Sequence, residues 1–117
     1  MARTISFSLT TRQIRDRSKT VTRRRGWSRL KVGDVLTACV KCMGLKRGER
    51  VERLASIRVV DVREERLDAI TAGDVEREGF PGMTPGEFVA MFVGSMGGDG
   101  ASIVRRIEFE YIDEAEG

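Results

Sequence analysis

Lys19-Thr20-Val21-Thr22-Arg23-Arg24-Arg25 sets β-branched residues inside a dense run of cations. The pattern reads as a strand. Side chains alternate along a strand, so Thr20, Thr22 and Arg24 share one face while Val21 and Arg23 take the other. Two hydroxyls and a guanidinium then point into one space, which suits a reactive site. The plainer alternative is a solvated edge strand whose arginines discourage edge pairing. Composition alone leaves both open.

Upstream, Thr4 to Leu9 alternates with Ile5, Phe7 and Leu9 on one side, the pattern of a half-buried strand. Thr10 as N-cap, with Gln13 three residues later, has the form of a capping box for a short helix over 11–17. Ile14 is its only interior apolar residue, so flanking strands must hold it in place. Downstream, Lys31-Val32-Gly33-Asp34 reads as a tight turn, with Gly33 at positive φ and Asp34 bonding nearby amides. It feeds a strand over 35–42, a basic hairpin loop Met43–Arg50 and an antiparallel partner strand over 51–63.

Thr71 then caps a short helix ending near Glu78-Gly79, and Thr84-Pro85-Gly86-Glu87 starts a second one. Phe88, Met91 and Phe92 give that helix an apolar stripe before Gly94 ends it. After a flexible loop with Gly97, Gly98 and Gly100, a last strand runs over 101–112 with Ile103, Ile107, Phe109 and Tyr111 on one face. The acidic tail 113–117 is expected to fray.

At 117 residues, 40% hydrophobic and 33% charged, the chain suits one domain over 1–117. No apolar run approaches the roughly 20 residues that span a bilayer, and Met1 to Ser6 lacks a signal peptide's apolar core. A cytoplasmic protein with no membrane partner is expected. Nothing in the sequence sets an oligomeric state.

Charge is distributed unevenly. Residues 1–31 hold ten Lys/Arg against Asp16 alone, whereas residues 61–117 hold five against fourteen acids. Either one surface faces a polyanion, or the two ends of the sequence meet in the fold and neutralise each other. With no histidine in the chain, His-based acid–base catalysis and His-ligated metals are excluded. Lys, Thr/Ser, Cys or carboxylates must do any chemistry.

Cys39-Val40-Lys41-Cys42 has the spacing of a zinc knuckle or a redox dithiol. Two sulfurs fall short of the four ligands of structural zinc, and residues three apart on a regular strand face opposite ways. Free thiols are therefore expected, with no metal and no cofactor. Trp27 among arginines suits base stacking, although a sole tryptophan in a small domain more often packs against the core. Glu78, in the last turn of its helix, meets the negative end of the helix dipole, a poor place for a carboxylate unless a cation stands near.

The order of strand, short helix, Lys19-Thr20-Val21-Thr22-Arg23-Arg24, Lys31-Val32-Gly33-Asp34-Val35-Leu36, Ile70-Thr71 with an acidic helix, and a final strand with Ile107-Glu108-Phe109 resembles the ASCH domains. The resemblance runs from about Thr4 to Ile112. It implies an α+β fold of the PUA-like superfamily, a small and mostly antiparallel β-barrel with two to three flanking helices and a cleft beside the Lys-Thr strand. ASCH domains are regarded as RNA-associated, and some small members look like amidohydrolases that deacylate N4-acetylcytidine. Carried over, their catalytic lysine, second motif threonine and helical glutamate fall on Lys19, Thr22 and Glu78.

Three functions follow in order. The first is an amide hydrolase on an N4-acylated cytosine nucleoside, with Thr22 as nucleophile, Lys19 as base and Glu78 serving the leaving nitrogen. The second is an RNA-binding module using Arg12, Arg15, Arg23, Arg24 and Arg25 on phosphates and Trp27 on a base. The third is a ribonuclease. RNA or a modified nucleoside is the expected partner.

Overall fold

The computed structural model describes residues 3–42, 47–48 and 50–112. The tail 113–117 and most of the loop Met43–Arg50 lie outside the described residues. The chain runs β1 (Arg3–Ser6), α1 (Thr11–Arg15), β2 (Val21–Arg24), β3 (Val35–Cys39), β4 (Arg53–Arg66), a 3-10 turn Leu67–Ala69, α2 (Ala72–Arg77), α3 (Pro85–Met96) and β5 (Ile103–Ile112). The strands form one sheet in the order β1-β3-β4-β5-β2, with β1 and β3 parallel and the other pairs antiparallel. The sheet curls into a half-barrel, and the three helices make this the expected PUA-like α+β architecture.

The curl decides where the site lies. β1 and β2 are the two edges of the sheet, yet Arg24 Nη2 of β2 donates to the Ser6 carbonyl of β1 at 2.6 Å. One side chain thus spans the seam between the edges. The edge-strand reading of residues 19–25 holds in topology and fails in solvation, because Val21, Thr22 and Arg23 are all buried.

Two cores cover the sheet. Ile5, Phe7, Ile14, Leu36, Ile57, Ile107 and Phe109 belong to the first, which fills the curl. The second unites Leu67, Ile70, Val75, Phe88, Phe92 and Val104 beneath α2 and α3. β5 serves both, since Val104 and Arg106 have opposite parity to Ile107 and Phe109. That corrects the expected single apolar face, and Ile103 is exposed. A bulge between Val59 and Asp61 re-registers β4 against β5 in the same region.

Several boundaries move. α1 stops at Arg15, and its capping box is absent: the Thr10 side chain caps nothing, while the Gln13 amide donates instead to Gly79 O at 3.2 Å. The Thr10 amide, which a capping box would give to the Gln13 side-chain oxygen, donates to Phe7 O at 3.1 Å instead. α3 passes through Gly94 to Met96 and ends at Gly97, whose φ is 79°. β1 ends at Ser6, so Leu9 leaves the buried face and is 64% exposed. The expected turn at residues 31–34 is present, with Gly33 at φ 94° and the Lys31 amide donating to Asp34 Oδ2 at 3.1 Å. Thr84 and Glu87 form the expected capping box.

The cysteine expectation fails. Cys39 and Cys42 are joined as a disulfide, their Cα atoms 6.0 Å apart. β3 ends at Cys39 with a register irregularity after Ala38, so the alternation that would separate the sulfurs does not reach Cys42. Among the described residues no cluster of three or more His, Cys, Asp or Glu could hold a metal. No helix among them is long and apolar enough to cross a membrane.

Candidate active site

A cleft of about 120 Å³ opens beside the seam. That is some eight times the ~15 Å³ needed to hold one water, so a small organic group fits. Lys19, Thr22 and Glu78 all line it, together with Arg23, Arg24 and Phe7. The three expected catalytic residues are therefore brought together, although 59 positions separate the first from the last.

Lys19 is not on the strand. It sits in the connection between α1 and β2, held by its amide to Gln13 O at 3.2 Å and by Tyr111 Oη donating to its carbonyl at 2.5 Å. Strand alternation consequently does not force it away from Thr22. Its Nζ donates to Glu78 Oε1 at 2.7 Å and to the Glu78 carbonyl at 2.8 Å. Burial pushes the Lys19 ammonium below its usual range; Glu78 opposes that shift, and Arg24 and Arg23 add smaller pushes in the same direction as burial.

Glu78 caps the C-terminus of α2, where a carboxylate needs cations, and it has two. Oε1 takes Lys19, and Oε2 accepts from Arg23 Nη1 at 3.1 Å. Gly79 follows at φ 103°, and a Cβ there would stand 2.7 Å from Gln13 Cγ. Only glycine suits both that backbone and that packing.

Arg23 is 3% exposed. Besides Glu78 it reaches Glu65 Oε2 at 2.7 Å and Asp74 Oδ2 at 2.6 Å. Burial works against its charge, and the bonds to Asp74, Glu65 and Glu78 more than offset this, so it is held more firmly protonated than a free arginine. β2 places Arg23 directly opposite Arg106 of β5, a like-charge pair that would repel. Asp74 resolves the conflict by accepting from Arg106 Nε at 2.6 Å and Nη2 at 3.0 Å as well. The Arg106 bonds, opposed by burial and reinforced by Arg23, hold the Asp74 carboxyl far below the usual carboxylate range.

Thr22 and Arg24 do share a face. Arg24 Nε donates to Thr22 Oγ1 at 3.1 Å, and its guanidinium lies 4.8 Å from the centre of the Phe7 ring. Burial pushes its pKa down to about 10, against the pull of Glu78. Its Nη1 makes no hydrogen bond among the described residues, and no buried side-chain nitrogen or oxygen there lacks a partner. That nitrogen therefore borders accessible space. Among the described residues Lys19 Nζ does not bond to Thr22, so a proton passing between them requires movement of the lysine or a bridging water.

The expected phosphate surface divides. Arg23 is buried and committed to three carboxylates, which removes it from the expected phosphate surface; Arg24 is half-buried, bonded to Thr22 and Ser6, and lines the cleft. Arg12 pairs with Asp16 at 3.5 Å and Arg15 with Glu52, both pairs exposed. Arg25 is exposed and donates to Gly97 O at 2.5 Å. Trp27 packs against the first core, with Arg3 stacked 5.5 Å from its ring centre, which favours the packing reading. Asp74, Glu65 and Arg106, which surround Arg23 without lining the cleft, carry no sequence signal for that role, because each reads locally as a helix-turn acid or a strand charge.

No family model matches the sequence, and no curated protein matches it. Solved structures do match in shape. An ASCH domain from Lactobacillus crispatus JV V101 superposes with a TM-score of 0.60 at 9% identity, over 92% of this chain and 77% of that one. The chain has the ASCH fold. A DUF984 protein from Enterococcus faecalis V583 agrees over 100% of this chain and 82% of its own, with a TM-score of 0.67 at 16% identity. A hypothetical protein matches 96% of this chain over its whole length, with a TM-score of 0.63 at 17% identity. Identities this low carry the ASCH fold and no more.

Proposed function

We propose that the ASCH cleft hydrolyses an amide of the N4-acylcytidine type. The observation supporting this reading is the convergence of Lys19, Thr22 and Glu78 on one cavity beside Arg24, which has a nitrogen without a hydrogen bond among the described residues. The substrate class is the one that the ASCH resemblance implies.

Thr22 Oγ attacks the acyl carbon and its proton passes to Lys19 Nζ, whose pKa burial lowers toward that of a usable base. Charge developing on the carbonyl oxygen faces the Arg24 guanidinium, a contribution typically worth about 3 kcal/mol per donor. As the C–N bond breaks, Lys19 returns the proton to the leaving nitrogen. Water then attacks the threonyl ester, giving a proton to Lys19 and its hydroxyl to the acyl carbon, and Thr22 Oγ recovers its proton. Glu78 orients Lys19 throughout. Arg23 holds the other Glu78 oxygen, so a neutral Lys19 does not strand a buried carboxylate without a cation.

The test measures cytidine release from N4-acetylcytidine by the wild type and by Lys19→Ala, Thr22→Ala and Glu78→Gln. Each variant is expected to lose at least ~10²-fold in rate. A wild type inert on all acyl cytidines, or a Thr22→Ala protein at full rate, sinks the reading.

A further inference from the structure

The cleft has two unlike walls. Lys19, Thr22, Arg24 and Glu78 make one, and α3 supplies most of the other. Phe88, Met91, Phe92 and Met96 fall at helical spacing on one side of α3 and line the cavity, joined by Phe80 and Leu9. Phe88 and Phe92 are anchored in the second core. Met96 and Leu9 are different, being 51% and 64% exposed at the cavity's edge. Large apolar side chains left in water beside a reactive group lower the free energy of whatever apolar group covers them.

We infer that this wall is an acyl subsite, selecting amides whose acyl group is a medium-length alkyl chain or an aryl ring over acetamides. The inference rests on the amidohydrolase reading and deepens it. Cytosine and ribose carry polar atoms on nearly every edge, and burying those against phenylalanine and methionine without partners is costly. The acyl substituent beyond the carbonyl is the one part of such a substrate with no polar atom. With the acyl carbon at Thr22, that substituent is assigned to the α3 wall and the nucleoside to the solvent side. An acetyl methyl leaves the exposed Leu9 and Met96 uncovered; a longer chain covers them. The net reaction is unchanged, with the C–N bond broken, water's hydroxyl added to the acyl carbon and its proton to the amine nitrogen.

The experiment compares kcat/KM for N4-acetyl-, N4-butyryl-, N4-hexanoyl- and N4-benzoylcytidine, and measures binding of the same four compounds to wild-type protein by calorimetry. Hexanoyl and benzoyl substrates are expected to exceed acetyl by roughly tenfold or more, given what a few methylenes contribute in an apolar pocket. Leu9→Ser combined with Met96→Ser, both at exposed positions, should cut the hexanoyl-to-acetyl ratio by about tenfold. Equal or better turnover of the acetyl compound, or an unchanged ratio in the double variant, overturns the subsite. If no compound turns over but hexanoyl still binds tenfold tighter than acetyl, the hydrolase reading fails and the subsite stands. If none turns over and binding is flat across the series, both fall.

Discussion

Replacing Arg23 with methionine tests the centre of the structure, because methionine keeps much of the volume and removes the charge. In the wild type one guanidinium compensates three acids, Glu65, Asp74 and Glu78. Removing one partner of a buried ion pair costs about 3–5 kcal/mol when it strands a charge. Here none is left alone: Asp74 keeps Arg106 and Arg77, Glu78 keeps Lys19, and Glu65 keeps a longer contact to Arg63. The low end, about 3 kcal/mol, is therefore expected. Unfolding entropy of ~2.1 cal/mol/K per residue gives ~0.25 kcal/mol/K for this chain, so the loss appears as a fall of ~12 °C in Tm. Urea titration at pH 7, read by circular dichroism, gives the free energy directly, and Glu65→Gln added to Arg23→Met should cost less than the sum of the two alone. A variant within 1 kcal/mol of wild type, a threshold set by typical surface substitutions of about ±0.5 kcal/mol, would refute the argument and return Arg23 to a solvated face.

Gly79→Ala forces a side chain into positive φ and against Gln13, and about 3 kcal/mol should be lost; a double-mutant cycle with Gln13→Ala that proves strictly additive would remove the steric part of this account. Asp74 has a depressed folded pKa, so its stabilisation is complete above the unfolded value of ~3.9 and is lost as pH falls through the lower folded one. Asp74→Asn should accordingly be less stable at pH 7 and lose less between pH 5 and pH 2, and parallel acid declines would contradict this. The Cys39–Cys42 pair closes a loop of only four residues, so mild reduction should cost no more than about 2 kcal/mol, while two titratable thiols before reduction would show that the pair is open. If the outward arginines bind single-stranded RNA, then with Arg12, Arg15 and Arg25 as the contacts log affinity should fall against log salt with a slope of about −2. A slope of about −3.5 would mean that Arg23 and Arg24 take part.

Local pattern determined much of this protein. The Lys31–Asp34 turn, the Thr84–Glu87 capping box, the Thr71 cap and the β3–β4 pair depend on neighbours within a few residues, or on a period of two, so a reader of the chain can find them. The resemblance of the Lys19–Arg24 stretch to ASCH domains likewise pointed to Lys19, Thr22 and Glu78, which line one cleft. Tertiary structure alone decided what surrounds them. The curl brings β1 beside β2, which turns an exposed-looking cationic edge into a buried seam and sends Arg24 to Ser6. The acids that neutralise Arg23 lie 42 to 55 residues away, and no local pattern marks a carboxylate at that distance as a partner. The same holds for Gln13, whose cap position was legible but whose amide found Gly79 instead. The opposed charges of the two ends of the chain left a polyanion surface and internal neutralisation equally open. Folding settled this for Lys19 and Arg23, because a buried cation must find a carboxylate or forfeit several kcal/mol, and only the three-dimensional arrangement states which one is in reach.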